Sequence, residues 1–297
     1  SNLGDANRLY HNNGDDTFTD LAGELGVMGF EQTFPAWFWD INNDGLLDLY
    51  VSSYTADIGV LAADARGLSV VPEALPQLYL GTETGFFEEV ARQYNLVHPT
   101  SPMGSNFGDL DNDGYLDFYL GTGYPHFEGL MPNMMYRNRE GKSFADISAV
   151  GGFGHLQKGH GVAFGDLDND GDQDIYAVIG GSYTGDLSHN VLFENPGHGN
   201  HWLVLQLEGV RSNRAAIGAR VTLVFADAPL TREVKSSRGM HNSMDSRALH
   251  FGLGDRGCDY TLNVRWPDGT TASFTPDDFP EETHLSLTYP DSLTVAP

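Results

Sequence analysis

The chain has 297 residues, 41 Asp and Glu against 16 Lys and Arg, and a formal charge of −25. Its length allows one or two domains with a real core, and its apolar (40%) and aromatic (11%) contents exclude a disordered acidic chain. The acidity argues against nucleic acid and anionic membrane surfaces as partners, since Lys and Arg grip both. No apolar run approaches the roughly 18 residues of a membrane span. A single cysteine, Cys258, excludes an internal disulfide and a Cys-rich zinc site. The chain opens with Ser1 and runs straight into patterned sequence, as a trimmed product would, so a missing leader carries no weight.

In chain order, short aromatic and β-branched segments read as strands: residues 7–11, 18–20, 37–39 and 47–51. Asn12–Asp16 reads as a hairpin turn, because Asn and Gly accept positive φ. The Ala/Leu/Val-rich stretch from Ala56 to Leu75 reads as an insertion with some helical character. One pattern then recurs: Asp40–Tyr50 (DINNDGLLDLY), Asp109–Tyr119 (DLDNDGYLDFY) and Asp166–Tyr176 (DLDNDGDQDIY). Aromatic landmarks at Tyr10, Tyr79 and Tyr136 each precede the first loop Asp by 30 residues, and successive loops lie 69 and 57 residues apart. Fixed phase and period mark an internal repeat. Three or four strands in a unit of this size fit a β-propeller blade, so the expectation is all-β: three recognisable blades over residues 1–196, an incomplete ring. The repeat stops after Phe193, and Pro196–Asn200 reads as a linker. Longer strands follow at 201–207, 219–225, 248–251, 262–266, 270–274 and 284–289, which predicts an antiparallel β-sandwich over residues 197–297.

The loop pattern D-x-[DN]-x-D-G-x-x-D sets oxygen side chains at positions 1, 3, 5 and 9, a carbonyl at 7, and a turn-making Gly at 6. Hard oxygen ligands on a tight loop suit Ca²⁺. The candidate ligands are Asp40, Asn42, Asp44, Leu46 (carbonyl) and Asp48; Asp109, Asp111, Asp113, Tyr115 (carbonyl) and Asp117; and Asp166, Asp168, Asp170, Asp172 (carbonyl) and Asp174. Carboxylates about 5 Å apart repel by roughly 3 kcal/mol at an effective dielectric of 20, so a bare loop would splay or take up protons. An EF-hand would need a bidentate Glu at position 12, where this chain has Val51, Leu120 and Ala177. About three Ca²⁺ sites are expected, each structural and pinning a hairpin within its blade.

Phe107–Gly114 and Phe164–Gly171 (FGDLDNDG) resemble the FG-GAP/VCBS repeats of integrin-α-like calcium-binding propellers, and Asn7–Asp20 is similar to the first half of such a repeat. Residues 200–203, 211–221, 250–254 and 264–269 resemble the ASPIC/UnbV domain. The order of the two resembles the cartilage acidic protein family over nearly the whole chain. The resemblance implies an extracytoplasmic (secreted, periplasmic or cell-surface), calcium-binding, non-enzymatic interaction protein. Three repeats and a fragment are too few for a closed propeller of 4–8 blades. Either upstream blades are missing or the open edges pair with another chain, since exposed strand edges are sticky.

Other motifs leave alternatives open. Gly252–Gly257 matches G-x-G-x-x-G but lies between strands, which argues against a dinucleotide site. His155 and His160, or His241, Asp245 and His250, form either a transition-metal site or polar loops. Eight arginines between Arg211 and Arg265 serve either salt bridges, within the sandwich or to the acidic propeller, or an anionic ligand. Cys258 reads as inert. No nucleophile elbow or P-loop occurs and no catalytic residue is assigned. Three functions compete: a calcium-rigidified scaffold for a protein or polysaccharide partner; a carbohydrate lyase or hydrolase, for which an axial pocket of His, Tyr and Arg would speak; and a structural subunit of a larger exported assembly.

Overall fold

In the computed structural model the described residues are 1–297 except 56, 124–128, 182–183, 240–242, 245, 258, 279–282 and 296–297. Cys258, His241 and Asp245 therefore lie outside them. The chain is nearly all β. A first hairpin pairs β1 (Tyr10–Asn12) with β2 (Phe18–Asp20) around the turn at Gly14. Blade one is the meander β3 (Thr33–Trp39), β4 (Asp48–Ser53), β5 (Gln77–Gly81), β6 (Phe87–Glu89). Blade two repeats it with β7 (Pro102–Gly108), β8 (Asp117–Thr122), β9 (Met134–Asn138), β10 (Phe144–Asp146). Blade three has three strands, β11 (Gly159–Gly165), β12 (Asp174–Ile179) and β13 (Val191–Phe193). The insertion between β4 and β5 carries one helix, α1 (Ile58–Ala65), N-capped by Asp57, whose carboxylate accepts Val60 N–H at 3.0 Å.

Adjacent blades bury their faces against each other. Trp37, Trp39, Tyr50 and Leu78 of blade one pack on Phe107, Phe118, Tyr136 and Phe144 of blade two. Leu110, Tyr119 and Met135 of blade two pack on Val162, Phe164, Ile175 and Ala177 of blade three. The first strands β3, β7 and β11 run side by side. This is the propeller arrangement that the repeat predicts: blades one and two are apolar on both faces because each has packed segments on both sides, whereas blade three is covered on the blade-two side.

The remaining strands form two four-stranded sheets about a single core. One has the order β17 (Leu249–Gly254), β14 (His201–Glu208), β20 (Thr283–Thr288), β21 (Ser292–Val295); the other is β16 (Pro229–Glu233), β15 (Arg220–Val224), β18 (Thr261–Arg265), β19 (Thr271–Phe274). Leu203, Leu205 and Phe251 of the first sheet meet Val221, Leu223 and Leu262 of the second. This is the expected sandwich, with one parallel pairing inside it, β14 with β20. The sandwich rests on the blades: the stretch after β16 crosses their first strands, Lys235 Nζ donating to Phe38 O at 2.9 Å and Ser243 Oγ accepting Val162 N–H at 3.0 Å.

Candidate metal centres

Each loop joins the first two strands of its blade. Position 4 is Asn43, Asn112 or Asn169, all left-handed with φ of 58°, 54° and 63°, and position 6 is Gly. This turn folds the carboxylates inward. The position-1 carboxylate accepts loop amides: Asp40 from Gly45 (3.0 Å), Asp109 from Asp113 (3.0 Å) and Gly114 (2.9 Å), Asp166 from Asp170 (3.1 Å) and Gly171 (3.0 Å). Position 5 accepts from position 7: Asp44 from Leu46, Asp113 from Tyr115, Asp170 from Asp172.

In loop two, one oxygen each from Asp109, Asp111 and Asp113 lie within 4.8 Å of one another, and Asp166, Asp168 and Asp170 do the same in loop three. Two oxygens each about 2.4 Å from one Ca²⁺ are at most ~4.8 Å apart, so both trios fit a single ion. A second observation agrees: Asp111 Oδ1 and Asp40 Oδ1 are buried with no hydrogen-bond partner, which a native fold seldom tolerates. In loop one Asn42 Oδ1 accepts Asp44 N–H at 3.2 Å while its Nδ2 donates to Asp44 Oδ2 at 2.9 Å. There the amide must turn its oxygen inward to help hold an ion.

Position 9 is placed differently. Both oxygens of Asp48 accept backbone amides, Ile41 (2.9 Å) and Gly81 (3.0 Å). Asp117 does the same with Leu110 (2.8 Å) and Asn138 (2.7 Å), and Asp174 with Leu167 (3.1 Å) and Asn195 (2.9 Å). This carboxylate staples its own loop to the third strand of its blade. Leu46 and Tyr115 take part in the loops through their amides as above. The Asp172 carboxylate reaches across to loop two and accepts Asn112 Nδ2 at 2.9 Å.

Burial dominates the electrostatics. It pushes the Asp48, Asp109 and Asp113 carboxyls up to about 7, 8 and 6, with neighbouring carboxylates adding to it, and raises Asp40 and Asp117 likewise. Without a cation Asp48 and Asp109 hold protons near neutrality; a bound ion would take the protons' place.

Several contributors carry no ligand signature. Asn43 Nδ2 donates to Gly114 O (3.2 Å) and Asn112 Nδ2 to Gly171 O (3.0 Å), so each loop is tied to the next. Asn138 donates to Ile41 O (2.9 Å) and Asn195 to Leu110 O (2.7 Å), tying each blade back to the preceding loop. The recurrence of Asn two residues after Tyr136 and Phe193 was the available signal. Arg137 pairs with the Asp111 carboxylate.

The sandwich lies on the loops. Arg232, buried, donates to Gly114 O at 3.1 Å and stands 4.0 Å from Asp109. Arg220 donates to Gly45 O at 2.8 Å. Gly252 approaches so closely that a Cβ there would lie 2.3 Å from Asp109 Oδ2. The G-x-G-x-x-G segment thus begins at a packing contact. Arg220 and Arg232 thus engage carbonyls of the blades and Arg238 lies over the Phe107 ring, while Arg214 pairs with Glu208 and Arg256 with Asp227. His250 is buried and held neutral, its pKa pushed down to about 3 by burial and by Arg232 and Arg238. A cavity between blades one and two and the sandwich is lined by Trp39, Asp40, Phe107, Arg232, Lys235 and Arg238 among others, with no His or Tyr. His155 and His160 join neither acidic trio.

Blades of this kind, bearing acidic turns and capped by a sandwich, define a class of propeller-type repeat protein. Comparison with known proteins agrees. Residues 129–177 match the FG-GAP-like repeat family and residues 209–293 the ASPIC and UnbV family. The chain is similar to cartilage acidic protein 1 of Homo sapiens (26% identical over 292 residues, 96% of this chain and 40% of the relative). It is also similar to the protein of that name from Xenopus tropicalis (24% over 290 residues, 96% and 41%). The chain thus spans about two fifths of the length of these curated relatives.

Proposed function

We propose that this chain is a calcium-stabilised interaction protein acting outside the cytoplasm, with a blade unit over residues 1–196, a sandwich unit over 197–297, and no catalytic role. The observation that carries the reading is the repeated convergence of loop carboxylates, together with the partnerless buried oxygen of Asp111. Positions 1, 3 and 5 are the side-chain ligands, the position-7 carbonyls of Leu46, Tyr115 and Asp172 complete the set, and Asp48, Asp117 and Asp174 act first as staples. A bound Ca²⁺ supplies charge neutralisation and loop rigidity. The similarity to cartilage acidic protein 1, a name that sets that relative in cartilage, supports the location. Titration calorimetry with Ca²⁺ on chelator-stripped protein tests the reading. Uptake of about three ions is expected; heat no greater than that of dilution would sink it.

A structural-subunit role also has an observation in its favour. Residues buried between blades two and three have exposed counterparts on the far face of blade three. Tyr119 is 0% exposed and Tyr176 41%; Met135 0% and Leu192 53%; Leu110 9% and Leu167 60%. Such a face takes another β-sheet, so the partner we propose is a protein that docks there. A protein that sediments as a monomer, with Tyr176 and Leu192 open to surface labelling, would exclude it.

A further inference from the structure

We infer that the C-terminal sandwich completes the second ion loop: His250 and Asn200 are positioning residues that hold loop two in its ion-binding shape and keep a bound ion from leaving. The inference rests on the calcium reading above.

Asn112 sits between two candidate ligands, Asp111 and Asp113, and is gripped on every side. Its carbonyl accepts Gly254 N–H at 2.7 Å, and its side-chain oxygen lies 2.6 Å from His250 Nε2. That oxygen can only accept, so Nε2 carries the imidazole proton and donates. Asn112 Nδ2 donates in turn to Gly171 O and Asp172. Asn200 Nδ2 donates to Asp111 O at 2.7 Å. A Cβ on Gly252 would lie 2.4 Å from the Asn112 backbone, so no space remains for the loop to open while the sandwich is seated. Asp109, Asp111 and Asn112 are all buried.

Loop three has the same pattern without this cover. Asp168, Asn169 and Asp170 are exposed, and its sandwich contacts are Trp202 against Gly171 and His284 Nε2 at 3.9 Å from Asp166. Asp44 of loop one is exposed as well. An ion in loop three or loop one can leave by local motion of an open turn. An ion in loop two must wait for the sandwich to lift. By linkage, contacts made only with the ion-competent loop raise its affinity, and removing them lowers it.

The test is stopped-flow release of Ca²⁺ from the loaded full chain into a fluorescent chelator. Two classes are expected, a fast one that loses loop three's share in Asp168→Ala and keeps loop one's, and a slow one abolished by Asp111→Ala. His250→Leu should speed the slow class by about tenfold, the usual scale for one buried hydrogen bond, and leave the fast class unchanged. His250→Gln, which keeps a donor, should restore the slow rate, a rescue that a purely structural role would not give. Asn200→Ala serves as the second variant if His250→Leu does not fold. A slow class that ignores both changes, or a single release rate, overturns the inference while leaving calcium binding intact. A chain that loads no calcium overturns the reading beneath it.

Discussion

Loops two and three share a nine-residue pattern and a place in their blades, yet they stand in opposite environments. Loop two lies under the sandwich, with Arg137 on Asp111 and Arg232 beside Asp109. Loop three faces solvent, with the His284 imidazole 3.9 Å from Asp166. In water, clustered carboxylates cost little, because the solvent screens them. Beneath a protein surface the same carboxylates must find a cation, a proton or an arginine. Burial thus turns one repeated turn into two devices: a solvent-open site and a site built into the core.

The largest test of this contrast is removal of calcium. Free ion at about 100 times its dissociation constant adds ~2.7 kcal/mol per site, so three sites lower the melting temperature by roughly 10 °C on chelation. Scanning calorimetry with and without EDTA reads it, and superimposed curves would remove the basis of the comparison. Next, Asp117→Ala should cost about 3 kcal/mol even in EDTA, since it orphans the buried amides of Leu110 and Asn138. Asp168→Ala in EDTA should stay within about 0.5 kcal/mol of the parent, as exposed substitutions do. Equal losses in urea melts would break the distinction between staple and ligand. Gly252→Ala forces a methyl into Asp109 and Asn112 and should cost about 2 kcal/mol, with increased proteolysis at 196–200 reporting the lifted sandwich.

A smaller effect is expected from pH. In the ion-free native chain Asp48, Asp109 and Asp113 keep protons up to about pH 7, 8 and 6. Unfolded, they lose them near a pKa of about 4. The native state therefore binds more protons than the unfolded one through this window, and stability falls as pH rises from about 4 to 8. The melting temperature in EDTA should drop by a few degrees between pH 5 and 8, and calcium should cancel the drop because the ion replaces those protons. A calcium-free curve that rises with pH would contradict the burial argument. The smallest change is Asp172→Asn, which keeps an acceptor for Asn112 and should stay within about 0.5 kcal/mol by urea titration.

Much of the fold is legible in the sequence. The 57-residue phase between loops two and three places equivalent strands at 117–122 and 174–179, and the Asn/Gly turn and the helical insertion fall where their residues predict. These features follow from neighbours a few residues apart. The role of position 9 is not legible: an Asp with the spacing of a ligand spends both oxygens on amides, one of them 21 residues away for Asp117. Nor is the use of the arginines, because Arg232 meets Gly114 across 118 residues of chain.

The repeating blade, the oxygen-rich turn and the change of architecture near Pro196 are written in the sequence. Local pattern suffices for these, since strand alternation, left-handed Asn and Gly turns and ligand spacing are short-range. Which turn is buried, which carboxylates serve as staples, and the seating of the sandwich on the acidic loops emerge only from the packed fold. Those outcomes depend on which surfaces lose water when distant segments pack, and charge in a sequence has no dielectric until the fold supplies one.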